Sequence, residues 1–288
     1  MSWQHERMVQ LLTEAGALAR SWKKSLTRER KADQSIVTQA DLAVEALLAD
    51  ELERPAEGVY FIGEETLAQK GEDYLQQALR GEAYVVDPID GTVPYAYGVP
   101  NWGVSIGHLV DGKLTDGAVY LPDFGELVIS DGADVLEGTL TAKSFEWRVL
   151  PDAHPDGGEN APIAITQRIA KQGKVLLPNP TMVLGAAVVP LVGLTQRRFV
   201  GYLGSVKLWD IAGSLPLVLR RGFVASLFVD GERRELTTQV HDATYHLDAK
   251  DSQRWWLRSN LLVCHPEDEP WLRTGLVSGE GSPTATDA

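Results

Sequence analysis

An apolar segment, Tyr84-Val85-Val86, runs directly into two aspartates, Asp87 and Asp90, and then into Gly91-Thr92. The apolar residues predict a buried strand, and a buried strand has no packing reason to end in two anions. Pro88 keeps Asp87 in extended geometry and can itself open a short helical turn. Asp90 then lies across one turn from Asp87, so the two carboxylates can converge. The spacing predicts a site that holds positive charge.

The residues after Asp90 suit an anion. Gly91 lets the backbone come close to a ligand, and the Gly91 and Thr92 amides lie near a predicted helix start, where negative charge is favoured. Two carboxylates beside such donors fit a phosphate bound through magnesium, which takes hard oxygen ligands. The alternative is a turn in which the aspartates serve only as caps.

Two other acidic positions stand at the ends of predicted elements. The strand "VYFIG", 59–63, runs into Glu64-Glu65, and Asp210 follows Trp209 at the start of an apolar helix. Taken alone, Asp210 is a helix N-cap and the glutamates form a solvated turn. Because the pattern occurs three times in one chain, a shared acidic site is favoured.

Apolar periodicity predicts an α/β fold with a mixed sheet. Amphipathic helices are expected over 3–25 and 41–53, the second capped by Thr38 or Asp41. Residues 137–160 are rich in Gly, Asp and Pro and predict a surface loop. The expected organisation is an N-terminal α+β half over 1–140, a C-terminal α/β half over 141–277 and a disordered tail over 278–288.

Charge and cysteine content exclude some classes of protein. The 288 residues include 40 acidic and 27 basic ones, and the net charge of −13 argues against binding nucleic acid. Cys264 is the sole cysteine, so an internal disulfide is excluded and a reducing cytoplasm is expected. The sequence has neither a signal-peptide core near Met1 nor an apolar run of ~18 residues, so no membrane association is expected.

Four motifs together resemble the inositol monophosphatase family. They are "VTQADLAVE" at 37–45, "GEE" at 63–65, "DPIDGT" at 87–92 and "WDIAG" at 209–213. Their order and spacing agree with the family over roughly residues 5–275. The resemblance implies a layered α-β-α-β-α sandwich, shared with fructose-1,6-bisphosphatase-like sugar phosphatases. It also implies Mg²⁺-dependent, often lithium-sensitive hydrolysis of a small phosphate monoester by a homodimer.

The resemblance assigns metal ligands to particular residues. Glu64, Asp87 and the Ile89 carbonyl would hold one Mg²⁺, and Asp87, Asp90 and Asp210 would hold a second, of two or three ions in all.

Catalytic roles follow from the same resemblance. Asp41 would orient Thr92, and Thr92 with Glu64 would position the attacking water. The amides of Gly91 and Thr92 would receive the phosphate.

The chain departs from the family where members bind the substrate's alcohol. Members that use inositol carry a Glu seven residues before the "WD" aspartate, and here that position is Leu203. The family's Gly-Thr-Ala segment corresponds to Leu184-Gly185-Ala186 in this chain. The family's Thr-Asn-Phe after "DGT" is replaced here by Val93-Pro94-Tyr95. With Gly185, Ala186 and Leu203 as substrate-binding residues, a less hydroxylated leaving group is expected, unless the alignment slips by a residue or two.

Several functions stay open. The substrate class could be that of an inositol monophosphatase, a 3′(2′),5′-bisphosphate nucleotidase, a sugar (bis)phosphatase or a histidinol-phosphatase. A different class is a non-catalytic relative that binds metal or phosphate, but such a relative should lack an acidic ligand or Thr92, and none is missing. The basic stretch "KKSLTRERK", 23–31, is either an exposed helix end or a loop that brings Lys31 over the phosphate.

Overall fold

The computed structural model describes residues 3–23, 28–30, 36–141, 144–150, 158–229 and 232–277. The predicted tail and residues 24–27 and 31 of the basic stretch lie outside these ranges. Within them, the helices are α1 (His5–Trp22), α2 (Gln39–Leu52), α3 (Glu72–Arg80), α4 (Thr92–Ala96), α5 (Gln167–Gln172), α6 (Val188–Thr195), α7 (Leu208–Ala212), α8 (Leu215–Arg220) and α9 (Glu269–Gly275). No helix in the described part of the chain is both long and apolar enough to cross a membrane.

The strands follow the same chain-order numbering. They are β1 (Arg28–Arg30), β2 (Ile36–Thr38), β3 (Val59–Gly63), β4 (Glu82–Asp90), β5 (Gly103–Val110), β6 (Lys113–Leu121), β7 (Glu126–Asp131), β8 (Asp134–Leu140), β9 (Phe145–Val149), β10 (Ile163–Ile165), β11 (Lys174–Val175), β12 (Thr181–Met182), β13 (Gly201–Gly204), β14 (Val224–Val229), β15 (Glu232–Glu235), β16 (Leu261–Cys264) and β17 (Leu276–Val277).

The N-terminal sheet contains β3 to β9 in chain order, with β3 parallel to β4 and every later pair antiparallel. The loop predicted over 137–160 is wrong in its first part, because β8 and β9 occupy it. Phe145 and Trp147 alternate with polar residues, and the Trp147 ring packs over Gly138. The sheet therefore extends to Val149, beyond the predicted boundary at 140.

The second sheet has the strand order β12-β10-β13-β16-β14-β15, with parallel pairs among the first three strands and antiparallel pairs after them. Helices α5 and α9 pack on one face through Ile169 and Leu272. Helices α6 and α7 lie between the two sheets, and α1 and α2 cover the outer face of the first. This α-β-α-β-α order confirms the predicted fold class.

The first two helices explain how the outer layer forms. Helix α1 buries Met8, Leu11, Leu12, Ala15 and Ala19, whose spacing places them on one face. Helix α2 begins after Thr38, which caps it together with Asp41 in a capping box. Both predicted helices are confirmed, each with ends a few residues inside or outside the predicted bounds.

The short strand β13 places consecutive side chains on opposite faces of the second sheet. Leu203 is 5% exposed and packs in the apolar cluster beneath α5 and α9. Its neighbour Tyr202 points to the other face, where it joins residues of α6 and α7.

We expect Leu203→Glu to lower the free energy of unfolding by about 3 kcal/mol or more, because it buries an unpaired carboxylate. Leu203→Met, which keeps the volume, should cost under about 1.5 kcal/mol. Urea denaturation of the two variants measures both effects. A Glu variant as stable as the wild-type protein would show that this side chain faces water.

Candidate metal centre and active site

Three carboxylates, those of Asp87, Asp90 and Asp210, have oxygen atoms that lie within 4.8 Å of one another. Asp87 and Asp90 are buried at the end of β4, and Asp210 is half-buried in the first turn of α7. The structure therefore brings together the "DPIDGT" and "WDIAG" motifs, which are far apart in sequence.

The convergence of Asp87 and Asp90 depends on an irregularity in β4. The pairing of β4 with β5 shifts register between these two residues, which accommodates Pro88 within the strand. The expected helical turn at Pro88 is wrong, because the strand continues to Asp90 and helix α4 begins at Thr92. This bulge allows the side chains of Asp87 and Asp90 to converge.

Helix α7 is held directly against the first sheet. A Cβ atom at Gly107 on β5 would lie 2.5 Å from the carbonyl oxygen of Ala212, so only a glycine permits this approach. The Asp210 carboxylate accepts a hydrogen bond of 2.8 Å from the Lys207 backbone N–H at the start of the helix. Asp210 is thus a helix cap and a member of the acidic group at once.

Burial and mutual repulsion disfavour the charged forms of the carboxylates in the acidic group. Burial raises the pKa of Asp87 well above its usual range, and the charges of Glu64, Asp90 and Asp210 raise it further. Burial likewise raises the pKa of Asp90, with Asp210 adding to the effect and the Val188 N–H opposing it. Converging carboxylate oxygens in this state fit a divalent cation with a preference for hard oxygen ligands.

Asp90 also joins the two halves of the chain. Its Oδ2 accepts a 2.6 Å hydrogen bond from the backbone N–H of Val188, at the first residue of α6. A carboxylate is favoured at a helix N-terminus. This contact draws the segment before α6 against the acidic turn.

Thr92 lies between Asp41 and the backbone of the acidic turn. Its Oγ1 is 3.1 Å from Asp41 Oδ1 and 3.2 Å from the Ile89 carbonyl oxygen. The other Asp41 oxygen accepts bonds from the backbone N–H and the hydroxyl of Thr38, at 2.8 and 2.6 Å. Burial raises the pKa of Asp41, while its bonds to Thr38 and Thr92 oppose the rise. The single proton of the Thr92 hydroxyl can therefore be donated to Asp41 or to the Ile89 carbonyl.

Glu64 follows β3, and its N–H donates to the Val86 carbonyl at 3.2 Å. Its carboxylate is outside the group of three aspartates, although its charge contributes to the raised pKa of both Asp87 and Asp41. The structure therefore places Glu64 at the edge of the acidic site.

Glu45 supports the Glu64 turn and was not among the predicted site residues. Its buried carboxylate accepts hydrogen bonds of 2.8 Å from the backbone N–H groups of Glu65 and Thr66. Glu45 is four residues after Asp41 on α2, so both acids face the same side of the helix. That spacing in "DLAVE" was the signal that could have identified it.

The predicted phosphate-binding turn lies against the predicted substrate segment. Gly91 has φ +88°, and a Cβ there would be 2.7 Å from the Asn101 carbonyl oxygen and 2.8 Å from the Ala186 Cβ. A Cβ at Gly185 would lie 2.9 Å from Pro94. Gly91, Gly185 and Ala186 are therefore neighbours. Leu203, in contrast, is not brought to the site, because the register of β13 directs it to the opposite face.

Comparisons with known proteins agree with this arrangement. The model of the inositol monophosphatase family matches residues 5–253. The chain is 33% identical to inositol monophosphatase 2 of Solanum lycopersicum, over 82% of this chain and 91% of that protein. It is 32% identical to an inositol-1-monophosphatase of Mesorhizobium japonicum, over 76% and 84%. The structure of a Thermotoga maritima IMPase superimposes with a TM-score of 0.69 at 18% identity, covering 93% of this chain and 94% of that one. The chain belongs to the inositol monophosphatase family.

Proposed function

We propose that this chain hydrolyses a small phosphate monoester with magnesium bound at Asp87, Asp90 and Asp210. As a family member it is a phosphoric monoester hydrolase. A divalent cation is chosen because three carboxylates have oxygen atoms within 4.8 Å of one another. Two of these carboxylates, those of Asp87 and Asp90, are buried and have a raised pKa. A bound cation would offset the cost of burying these charges.

The remaining donors would complete the coordination. We propose that Glu64 and the Ile89 carbonyl share two or three Mg²⁺ ions with the three aspartates. Ile89 lies between Asp87 and Asp90 in the sequence, and the charge of Glu64 contributes to the raised pKa of Asp87. When bound, magnesium supplies positive charge to the phosphate oxygens and lowers the pKa of water. The carboxylates would hold that charge in place.

Thr92, Asp41 and Glu64 would prepare the attacking water. When the single proton of the Thr92 hydroxyl points to Asp41, the hydroxyl oxygen can accept a hydrogen bond from water. A second hydrogen bond from the same water to the Glu64 carboxylate would orient it and provide an acceptor for its proton. The Gly91 and Thr92 amides at the start of α4 would hold the phosphate.

The substrate range and setting extend this proposal. We propose monophosphates of small alcohols, inositol phosphate among them, since the curated relatives are inositol monophosphatases by name. Lithium inhibition, a homodimer and a cytoplasmic location are proposed from the family resemblance alone. The two predicted halves would act as one catalytic unit, because Asp90 and Asp210 come from different halves.

A phosphate-release assay over a panel of phosphomonoesters, with Mg²⁺ and with EDTA, tests the function. We expect release that requires Mg²⁺. Binding of Mg²⁺ without release from any member of the panel would instead identify a non-catalytic relative.

Asp90→Asn should reduce turnover at least about 100-fold, or roughly 2.7 kcal/mol, because it removes a ligand charge and keeps the shape of the side chain. Steady-state kinetics in saturating Mg²⁺ measures the loss. The matched control is Asp268→Asn, a buried aspartate at the start of α9 outside the acidic group. Equal rates for the two variants would contradict the assignment.

Asp87→Asn should stabilise the metal-free protein at neutral pH, because it removes a buried, repelled charge. A carboxyl whose pKa is raised on folding stabilises the fold below its ordinary pKa of 3.8, and this contribution is lost as the pH rises through the raised value. The stabilising effect of the substitution should thus be absent near pH 3.8 and grow with pH. Thermal denaturation in EDTA measures it, and added Mg²⁺ should raise the Tm of the wild-type protein more than that of the variant.

Thr92→Val should lower kcat at least about tenfold and leave Mg²⁺ affinity within about twofold, because Val keeps the branched shape without the hydroxyl. Thr92→Ser, which retains the hydroxyl, should recover most of the rate. Isothermal titration with Mg²⁺ accompanies the kinetics. An equal loss of rate and of metal affinity would make Thr92 part of metal assembly.

A further inference from the structure

The outer edge of β9 faces solvent in the part of the chain that the structure describes. β9 is the last strand of the first sheet, and among the described strands it pairs with β8 alone. Trp147 is 38% exposed and Val149 is 58% exposed, and the charged residues Glu146 and Arg148 beside them are exposed as well. An edge of this kind offers backbone N–H and C=O groups to a further strand.

The other outer edges of the two large sheets have protection that the described residues do not give to β9. At β3, the Phe61 N–H donates a 2.8 Å hydrogen bond to the Tyr74 hydroxyl, and Arg54 forms a bridge with Val59. The second sheet ends in β12, which has two residues, and in β15, whose four residues are all charged and exposed. Covered, short or charged edges prevent sheets from associating edge to edge. β9 is longer than β12 and, unlike β15, has apolar residues at alternate positions.

The hydrogen bond at the end of β9 shows which of its residues turn their backbone groups outward. Leu150 donates its N–H to the Val135 carbonyl of β8 at 3.1 Å. Inward and outward backbone groups alternate along an antiparallel strand, so Arg148 and Glu146 also direct theirs towards β8. The residues between them direct their N–H and C=O groups to the outer edge: Phe145, Trp147 and Val149.

We propose that β9 is a self-association surface, at which the β9 strands of two copies of this chain pair antiparallel about a two-fold axis at Trp147. The first sheets of the two copies would then form one continuous sheet. Trp147 would lie opposite Trp147 of the second copy, and Phe145 opposite Val149 of the second copy. All three residues have outward backbone groups, so the N–H and C=O groups of the two strands can bond to each other. This inference is independent of the proposed phosphatase function.

Charge complementarity favours a second copy of this chain as the occupant. In the register centred on Trp147, each Glu146 lies opposite Arg148 of the other copy, at the positions where facing side chains approach most closely. Arg148 pairs with the buried Glu137 of its own chain, and its side chain is still 66% exposed. β9 is therefore complementary to itself, as an interface with two-fold symmetry requires.

The same charges select this register over its neighbours. A shift of two residues in one direction would place Arg148 opposite Arg148 of the other copy, and a shift in the other direction would do the same for Glu146. Like charges directly opposite each other destabilise a strand pair. A shift of one residue would set outward backbone groups against inward ones and lose the hydrogen bonds between the strands.

The apolar side chains of β9 would supply the hydrophobic part of the interface. The Trp147 ring packs edge-on against His5 of α1, with 5.0 Å between the ring centroids, and the Phe145 ring packs against Tyr120. These contacts hold the two aromatic rings on one face of the sheet. Pairing would cover the exposed parts of Trp147 and Val149, which favours association.

Sedimentation velocity of the whole chain over a range of concentrations tests the inference. The wild-type protein should dimerise. Glu146→Arg, which places an arginine opposite Arg148 twice in each dimer, should raise the Kd at least about tenfold, equivalent to roughly 1.4 kcal/mol. The matched control is Glu235→Arg, the same charge reversal on the exposed edge strand β15, which should change the Kd less than about twofold.

Mixing two variants tests the register itself. Arg148→Glu alone should also weaken self-association. An equimolar mixture of Glu146→Arg and Arg148→Glu chains should associate like the wild-type protein, because each of these positions then faces the opposite charge. Thermal denaturation shows whether Arg148→Glu, which removes the partner of Glu137, still folds. If it does not, Val149→Pro replaces it, since this substitution removes an outward N–H without a bond to β8 and should prevent dimerisation.

Hydrogen exchange of the amide groups in residues 144–150 shows whether this edge is the one covered. Exchange should slow as the protein concentration rises, and it should stay fast in Glu146→Arg.

Three results would overturn the inference. The first is a wild-type protein that is monomeric at every concentration. The second is a dimer whose Kd is unchanged by both Glu146→Arg and Val149→Pro, which would place the interface elsewhere. The third is slow exchange of the β9 amides that does not depend on concentration, which would mean that another segment of the same chain covers the edge.

Discussion

Three like charges held within 4.8 Å of one another are the constraint on which the rest of this structure depends. Each aspartate accepts at least one hydrogen bond from a backbone N–H, with donors that include Ile89 for Asp87, Val188 for Asp90 and Lys207 for Asp210. These bonds favour the charged carboxylates, but they do not outweigh the burial that raises the pKa of Asp87 and Asp90. Burial and mutual repulsion thus disfavour the charged forms of these carboxylates, and a bound cation would offset that cost, as phosphate chemistry requires.

The two halves of the chain depend on each other at this point. Helix α7 contacts β5 directly, because Gly107 has no side chain and the Ala212 carbonyl lies against it. No flexible side chain therefore separates helix α7, which carries Asp210, from the first sheet. Asp90 in turn caps α6, which belongs to the second half. Because the contacts are short and made by backbone atoms, the distances among the carboxylates are fixed by the packing of the fold. A catalytic site needs that degree of fixed geometry.

The acidic residues could be predicted from sequence because each stands where an apolar segment ends, as Glu64 does after "VYFIG". Features that depend on register could not. Leu203 was placed by counting back from Asp210, and a count along the chain does not say which face of β13 a residue occupies. Strands β8 and β9 were missed because the Gly, Asp and Pro content of 137–160 was given more weight than the alternation of Phe145, Trp147 and Val149 with polar residues, which is a strand signal. Glu45 could have been found, since its spacing from Asp41 is helical.

Consecutive side chains of β13 point to opposite faces of the second sheet, so the strand contributes to two separate apolar clusters. One face, with Leu203, closes the core beneath α5 and α9, and the other, with Tyr202, packs in the core that includes residues of α6 and α7. The three clustered carboxylates come from β4 and α7, and no residue of β13 belongs to that group. The packing of β13 and the geometry of the three carboxylates are therefore set by different elements of this fold. Leu203 lies in an apolar cluster where a carboxylate would be unpaired, so the departure from the family's Glu at this position follows from the packing on that face of β13.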